Sequence, residues 1–144
     1  MGNDYYSEAG QQALRNGLTA DEQSALEALE AKLVGAIEVS PGDQDGLYRA
    51  LLHHGCFFDS YGKEVRPGRT HDCHTNTYEL VRDGGAEYNV TGLAVLHSDG
   101  PWREHSWGLS ERTVIETTVP RDAYYGYNTE NRPPRLLNPK NASH

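Results

Sequence analysis

Cys73, His105 and Glu116 bring a thiol, an imidazole and a carboxylate along the chain in that order. A cysteine nucleophile needs a base for its proton and a third group to orient that base. Cys73 stands where the loop from Thr70 turns into a helical run. The first N–H groups of a helix are unpaired and carry partial positive charge, which favours a thiolate. The Cys73 N–H is also placed to donate to an oxyanion. Asn76, one turn later on the same face, is expected to support the cysteine loop, to polarise a carbonyl, or to hold a structural hydrogen bond. In Arg103-Glu104-His105-Ser106-Trp107, alternation puts His105 and Trp107 on one strand face. Glu116 follows on the next strand, in Val114-Ile115-Glu116-Thr117-Thr118. An even hairpin loop, such as Ser110-Glu111, sets His105 opposite Glu116, whereas an odd loop turns Glu116 to the other face. The plainer reading of the same residues is a structural His–Glu pair.

The elements that must position these groups follow from pattern. Thr19-Ala20-Asp21-Glu22 is a capping box, and Leu26, Leu29, Leu33 and Ile37 continue it at helical spacing. A second helix is predicted from about Asp43 to His54, with Leu47, Leu51 and Leu52 inward and Gly55 as its stop. The cysteine helix runs from Asp72 or Cys73 to Arg82. Strands are predicted over Glu87–His97, Trp102–Leu109 and Thr113–Val119. Cys56-Phe57-Phe58 reads as a short buried segment with Cys56 as a packing thiol, and Ser60–Gly68 as a loop. Residues 1–17 read as a loose lead-in, with Tyr5, Tyr6 and Leu14 as the side chains that would dock it. Tyr124 to Tyr127 are expected to pack back onto the domain, and Asn128–His144 to form an extended or disordered tail. The expected fold is α+β. N-terminal helices (about 18–55) precede a core (about 70–127) in which the nucleophile-bearing helix packs on a small antiparallel sheet, all in one domain over 1–127.

With 144 residues and a net charge of −8, the chain is long enough for a core of its own. Its acidity argues against nucleic-acid or anionic-membrane partners, which need clustered Lys and Arg. No apolar run approaches a membrane span and no signal-peptide pattern opens the chain. The two cysteines read as free thiols in a reducing cytoplasm. Tyr78, Tyr88, Trp102 and Trp107 are candidates to line a cleft, with core packing as the alternative. Arg66 and Arg69, just before the cysteine, are candidate contacts for an acidic substrate group, with simple solvation of loop arginines as the alternative.

The order Cys73-x-x-Asn76, Tyr88-x-x-x-Gly92, His105-x-Trp107, Val114-Ile115-Glu116-x-Thr118, then Tyr124-Tyr125-Gly126 resembles small bacterial and phage proteins of the papain-like and transglutaminase-like group. The resemblance covers about Thr70 to Tyr127. It implies Cys73 as nucleophile, His105 as base and Glu116 as orienting acid, with no cofactor. The implied chemistry is attack on an amide, ester or thioester carbonyl of a peptide, protein or small acyl substrate through an acyl-enzyme. The third position is commonly Asp in that group; here it is Glu, so either the strand spacing differs or Glu116 has another task.

Two rival readings accompany it. His71, Cys73 and His74, with His97 or His105, contain zinc-ligand types, but their spacing matches no zinc motif. A non-catalytic binding module on the same fold is the other, since fold does not fix function.

Overall fold

Helix α2 (Ala20–Leu33) starts at the predicted cap: the Thr19 hydroxyl accepts from the Glu22 N–H. The computed structural model describes residues 5–41, 46–59, 63–69 and 72–128. Glu22 does not turn back to complete the capping box. Its buried carboxylate accepts from the N–H groups of Tyr48 and Arg49, each at 3.1 Å, and from Arg49 Nε at 2.9 Å. It thereby caps α3 (Leu47–His54), whose own N-cap, Gly46, has no side chain to offer. Orphan N–H groups and the helix dipole stabilise a carboxylate there. The predicted start at Asp43 lies outside the described residues; α3 ends as predicted, at Gly55.

The N-terminal segment is not a loose lead-in. Residues Glu8–Asn16 form a helix, α1, capped by Ser7. The Gln11 amide pairs with the backbone of Val39 in both directions, at 2.7 and 2.9 Å. Arg15 forms a two-pronged ion pair with Glu30, whose carboxylate also accepts the Ile37 N–H. Leu14 packs against the core as expected, but the other docking contacts are polar side chains, so apolar periodicity does not reveal the helix.

Among the described residues seven strands form one curled sheet: β1 (Ile37–Glu38), β2 (Cys56–Phe58), β3 (Glu64–Val65), β4 (Tyr88–Val95), β5 (Trp102–Ser110), β6 (Thr113–Glu116) and β7 (Ala123–Asn128). Their order is β2-β7-β4-β5-β6-β3, with β1 also against β5. The sheet is mixed, not purely antiparallel, because β1 runs parallel to β5 and β3 parallel to β6. The segment expected as a loop supplies β3, the third predicted strand stops at Glu116, and Tyr124 to Tyr127 lie in β7. Most of the expected tail, residues 129–144, lies outside the described residues.

The sheet's two faces carry separate cores. Leu93, Val95, Trp102, Tyr125 and Tyr127 meet α2 and α3 through Leu26, Leu29, Tyr48 and Leu51. Val90, Ala94, Trp107, Val114 and Tyr124 form the other core, with Phe58 and Leu109. The cysteine helix α4 (Cys73–Arg82) lies on the first face, further along β5. There Leu80 fills the space beside Gly108, where an added Cβ would come within 3.1 Å of it. Cys56 is exposed and Phe57 is 58% exposed, contrary to the expected buried segment. Both lie on β2, the end of the strand order, where the Phe57 ring covers the edges of Trp102 and Tyr125.

Candidate active site

The β5–β6 hairpin decides where His105 and Glu116 fall. Ser110 pairs with Thr113, so the loop is two residues, Glu111-Arg112, with Glu111 left-handed at φ 56°. The even loop keeps His105 and Glu116 on one face. The register is displaced from Ser110-Glu111, however. Counting on from Gly108 opposite Ile115, Glu116 lies opposite Trp107, diagonal to His105. His105 Nε2 lies 2.9 and 3.0 Å from the two Glu116 oxygens. Both side chains are buried, at 3% and 0% exposure. The Trp107 ring stacks beside the imidazole, centroids 5.9 Å apart. Gly92 pairs directly with His105 and also with Gly126, so neither directly opposed position carries a side chain, and the β7 ring beside the imidazole is that of Tyr124, centroids 6.3 Å apart.

Glu116 is held on every side. The Tyr124 hydroxyl donates to Oε1 at 2.7 Å, and the Thr118 N–H and hydroxyl both donate to Oε2 at 3.0 Å. Burial alone would push its pKa up. The donors from His105, Tyr124 and Thr118 together outweigh burial and hold the carboxyl well below the usual carboxylate range. An ionised carboxylate only accepts, so Nε2 carries the imidazole proton and Nδ1 keeps its lone pair. Burial lowers the His105 pKa more than Glu116 raises it. The ring is therefore neutral near pH 7, with Nδ1 available as a base.

Cys73 occupies the first position of α4, half-buried. On the edge of β5 away from β4, pairing covers Trp102–Arg103 (to β1) and Gly108–Ser110 (to β6). Among the described residues Glu104 to Ser106 therefore have no strand against them on that edge, and the Ser106 N–H faces the Cys73 sulfur there. Burial raises the thiol pKa, while the Ser106 N–H lowers it by less. The helix-start position does not produce the depressed pKa expected from sequence, because desolvation of the thiolate outweighs it. No hydrogen bond joins Cys73 to His105. His105 and Trp107 project from the face opposite the one that α4 contacts through Ser106 and Gly108.

The remaining sequence candidates take clear positions. Asn76 is buried. Its side-chain oxygen accepts from the Arg69 N–H and its amide donates to the Arg69 carbonyl, so it clips the loop before the cysteine. The Arg69 guanidinium pairs with Asp72 and Glu79. Tyr78 is 52% exposed on α4, Tyr88 is half-buried at the start of β4, and Trp107 is fully buried beside His105, not on a cleft wall. His71 lies outside the described residues. Among the described residues no group of three or more His, Cys, Asp or Glu side chains converges as a metal site.

Sequence reasoning missed several participants. His74 bonds the Ser106 hydroxyl through Nδ1 and Glu104 through Nε2, the latter at 3.1 Å. This ties the first turn of α4 to β5. The resulting serine–histidine–acid chain is not a second nucleophile, since Ser106 is only 1% exposed. Thr118 was visible only as a motif residue; two positions after a carboxylate, its N–H and hydroxyl are in local reach. Tyr124 and Arg121 carry no local signal for their roles, because both depend on how β7 returns beside β4.

Comparison of the chain with protein families, with curated proteins and with solved structures finds no match.

Proposed function

We propose that the protein is a cysteine-nucleophile enzyme acting on an amide, ester or thioester carbonyl through an acyl-enzyme on Cys73. The observation that carries the reading is the buried His105–Glu116 pair, whose fixed tautomer leaves a neutral imidazole with a free lone pair one residue from the backbone N–H that faces the thiol. Because burial disfavours the thiolate, the pair starts neutral. Nδ1 takes the Sγ proton as sulfur attacks the carbonyl carbon, and Glu116 stabilises the imidazolium that forms. Collapse of the tetrahedral adduct breaks the bond to the leaving group, which takes the proton from Nδ1. Water or an amine then attacks the thioester, giving its proton to Nδ1, and the proton returns to sulfur as the acyl group departs. Cys73 sits with α4 on the face of β5 opposite to His105, so the reaction requires Sγ to reach Nδ1 around the open β5 edge beside Ser106 when substrate binds, a larger rearrangement than the usual tightening of catalytic contacts.

The alternative is a non-catalytic binding module in which the His105–Glu116–Tyr124 network is structural. The absent Cys73–His105 bond and the raised thiol pKa favour it. Activated-ester turnover separates the two. In a Cys56→Ser background, needed because Cys56 is exposed, the enzyme reading expects a stoichiometric acyl burst on Cys73 that His105→Ala slows at least about tenfold. A Cys73 that acylates no faster after denaturant is removed than in the unfolded chain leaves only the binding module.

A further inference from the structure

A cavity of about 230 Å³ opens beside His105, lined by Ala94, Leu96, Pro101, Arg103, Glu104 and Arg121 among others; one Glu104 oxygen is held by His74 Nε2 at 3.1 Å. A water molecule occupies roughly 30 Å³ of liquid, so the space suits a group about the size of one amino-acid residue. Its two arginines differ. Arg103 donates to Glu38 and lies over the Tyr6 ring, so its charge is engaged outside the cavity. Arg121 is 21% exposed. One terminal nitrogen makes a 3.4 Å contact with the Thr118 hydroxyl and stands 4.0 Å from Glu116. Its Nε and other terminal nitrogen have no hydrogen-bond partner among the described residues. Glu116 is already satisfied by Tyr124, Thr118 and His105, so it does not need the guanidinium. The Arg121 backbone is fixed in turn, its N–H donating to the Tyr124 hydroxyl at 3.1 Å.

We infer that Arg121 is the anion-binding group of a ligand site in this cavity, and that the ligand is a small acyl group bearing one carboxylate. A planar guanidinium with adjacent free N–H groups matches a carboxylate's two oxygens. The apolar wall of Ala94, Leu96 and Pro101 takes the short carbon skeleton. A dianionic phosphate fits less well, because Glu116 stands 4.0 Å from the same guanidinium and repels a second negative charge. That the bound acid is also a substrate rests on the proposed acyl chemistry; the binding itself does not.

The test is titration of ¹⁵N-labelled full-length protein with N-acetylglycine, following the Arg121 Nε–H and the His105 ring nitrogens. A saturable shift is expected with a Kd of about 1–10 mM, the range open to a ligand of so few atoms. N-acetylglycinamide, equal in size but uncharged, and inorganic phosphate should each bind at least about tenfold more weakly. Arg121→Gln should lose the same factor and Arg121→Lys should keep part of the affinity. Equal binding of the neutral amide, equal binding of phosphate, no saturable shift, or an unchanged Kd in Arg121→Gln overturns the assignment. If Arg121→Gln fails to fold, the acid–amide comparison on the wild type still decides. Binding without any acyl burst keeps this site and removes the enzyme reading; a burst without binding does the reverse.

Discussion

Replacing Glu116 with Gln keeps the shape of the side chain and changes only what its two terminal atoms can do. Oε2 faces the Thr118 N–H, which cannot become an acceptor, so the new amide must put its oxygen there. Its NH₂ then falls at Oε1, facing the Tyr124 hydroxyl and His105 Nε2. The hydroxyl can rotate to accept. His105 Nε2–H lies 3.0 Å from the retained oxygen but now also faces the NH₂ donor; the ring relieves that donor–donor contact by accepting, which moves its proton to Nδ1 and removes the lone pair assigned to the base. The two Thr118 donors exchange a charged acceptor for a neutral one and the Tyr124 hydroxyl exchanges a bond to a carboxylate for one from an amide, a loss of about 1 kcal/mol each. Relief of the carboxylate's burial returns part of this, leaving a net destabilisation of about 1–3 kcal/mol, or a melting drop of about 3–10 °C for a domain of this size. A partly exposed pair would change stability by less than about 1 kcal/mol. Imidazole ¹⁵N shifts report the tautomer, calorimetry the stability and labelling of Cys73 the reactivity. The expectation is an Nδ1–H ring, the stated melting drop and labelling slowed about tenfold or more. An unchanged tautomer together with unchanged melting would refute the network as described.

Further expectations follow from the same contacts. Tyr124→Phe removes the 2.7 Å donor to Glu116 and the acceptor of the Arg121 N–H; denaturant midpoints should show a loss of about 1–3 kcal/mol. Glu116→Asp shortens the reach to the diagonal His105 and should slow Cys73 labelling about as much as Glu116→Gln while preserving the charge. Gly92→Ala would bring a Cβ to 2.2 Å from the Tyr125 carbonyl oxygen, a backbone clash that should cost about 3 kcal/mol or more and appear as loss of cooperative melting. Stability against pH should have a plateau. Burial holds His105 neutral, so its contribution is complete above its unfolded value of 6.5 and falls as pH drops below it. Glu116 adds a second loss below its unfolded 4.5, and the buried Cys73 thiol a loss above its unfolded 9.0.

How much of this was legible in the sequence depended on how local each cause is. The start of α2 at Thr19 and the stop of α3 at Gly55 are set by caps within a few residues, and both fall as predicted; α4 also starts at Cys73 as predicted, though Asp72 makes no side-chain cap there. The destination of Glu22 is set by a helix more than twenty positions away, so a local capping pattern could not disclose it. The two-residue strands β1 and β3 exist only because longer strands receive them, and they carry no periodicity of their own. Cys56 was misplaced for a related reason. Apolar composition suggested burial, but β2 ends the strand order, and an edge strand turns part of its apolar surface outward.

The glutamate at position 116 is explained by register rather than by chemistry. Directly opposed residues in an antiparallel pair stand about 4.5–5.5 Å apart, and diagonal ones about 7–8 Å. A hairpin turning at Ser110-Glu111 would have opposed His105 and Glu116 directly, where an aspartate is long enough. The observed turn at Glu111-Arg112 moves the acid one pair along, opposite Trp107, and the extra methylene of Glu covers the diagonal. The same displacement sets Thr118, by count, opposite His105, at the point where the chain bends away after β6. That bend leaves the Thr118 N–H and hydroxyl free to hold the carboxylate from below, while the β5 edge beside Ser106 stays open to Cys73. One choice of turn therefore fixes the length of the acid, the donors that keep it ionised and the gap through which the thiol meets the strand.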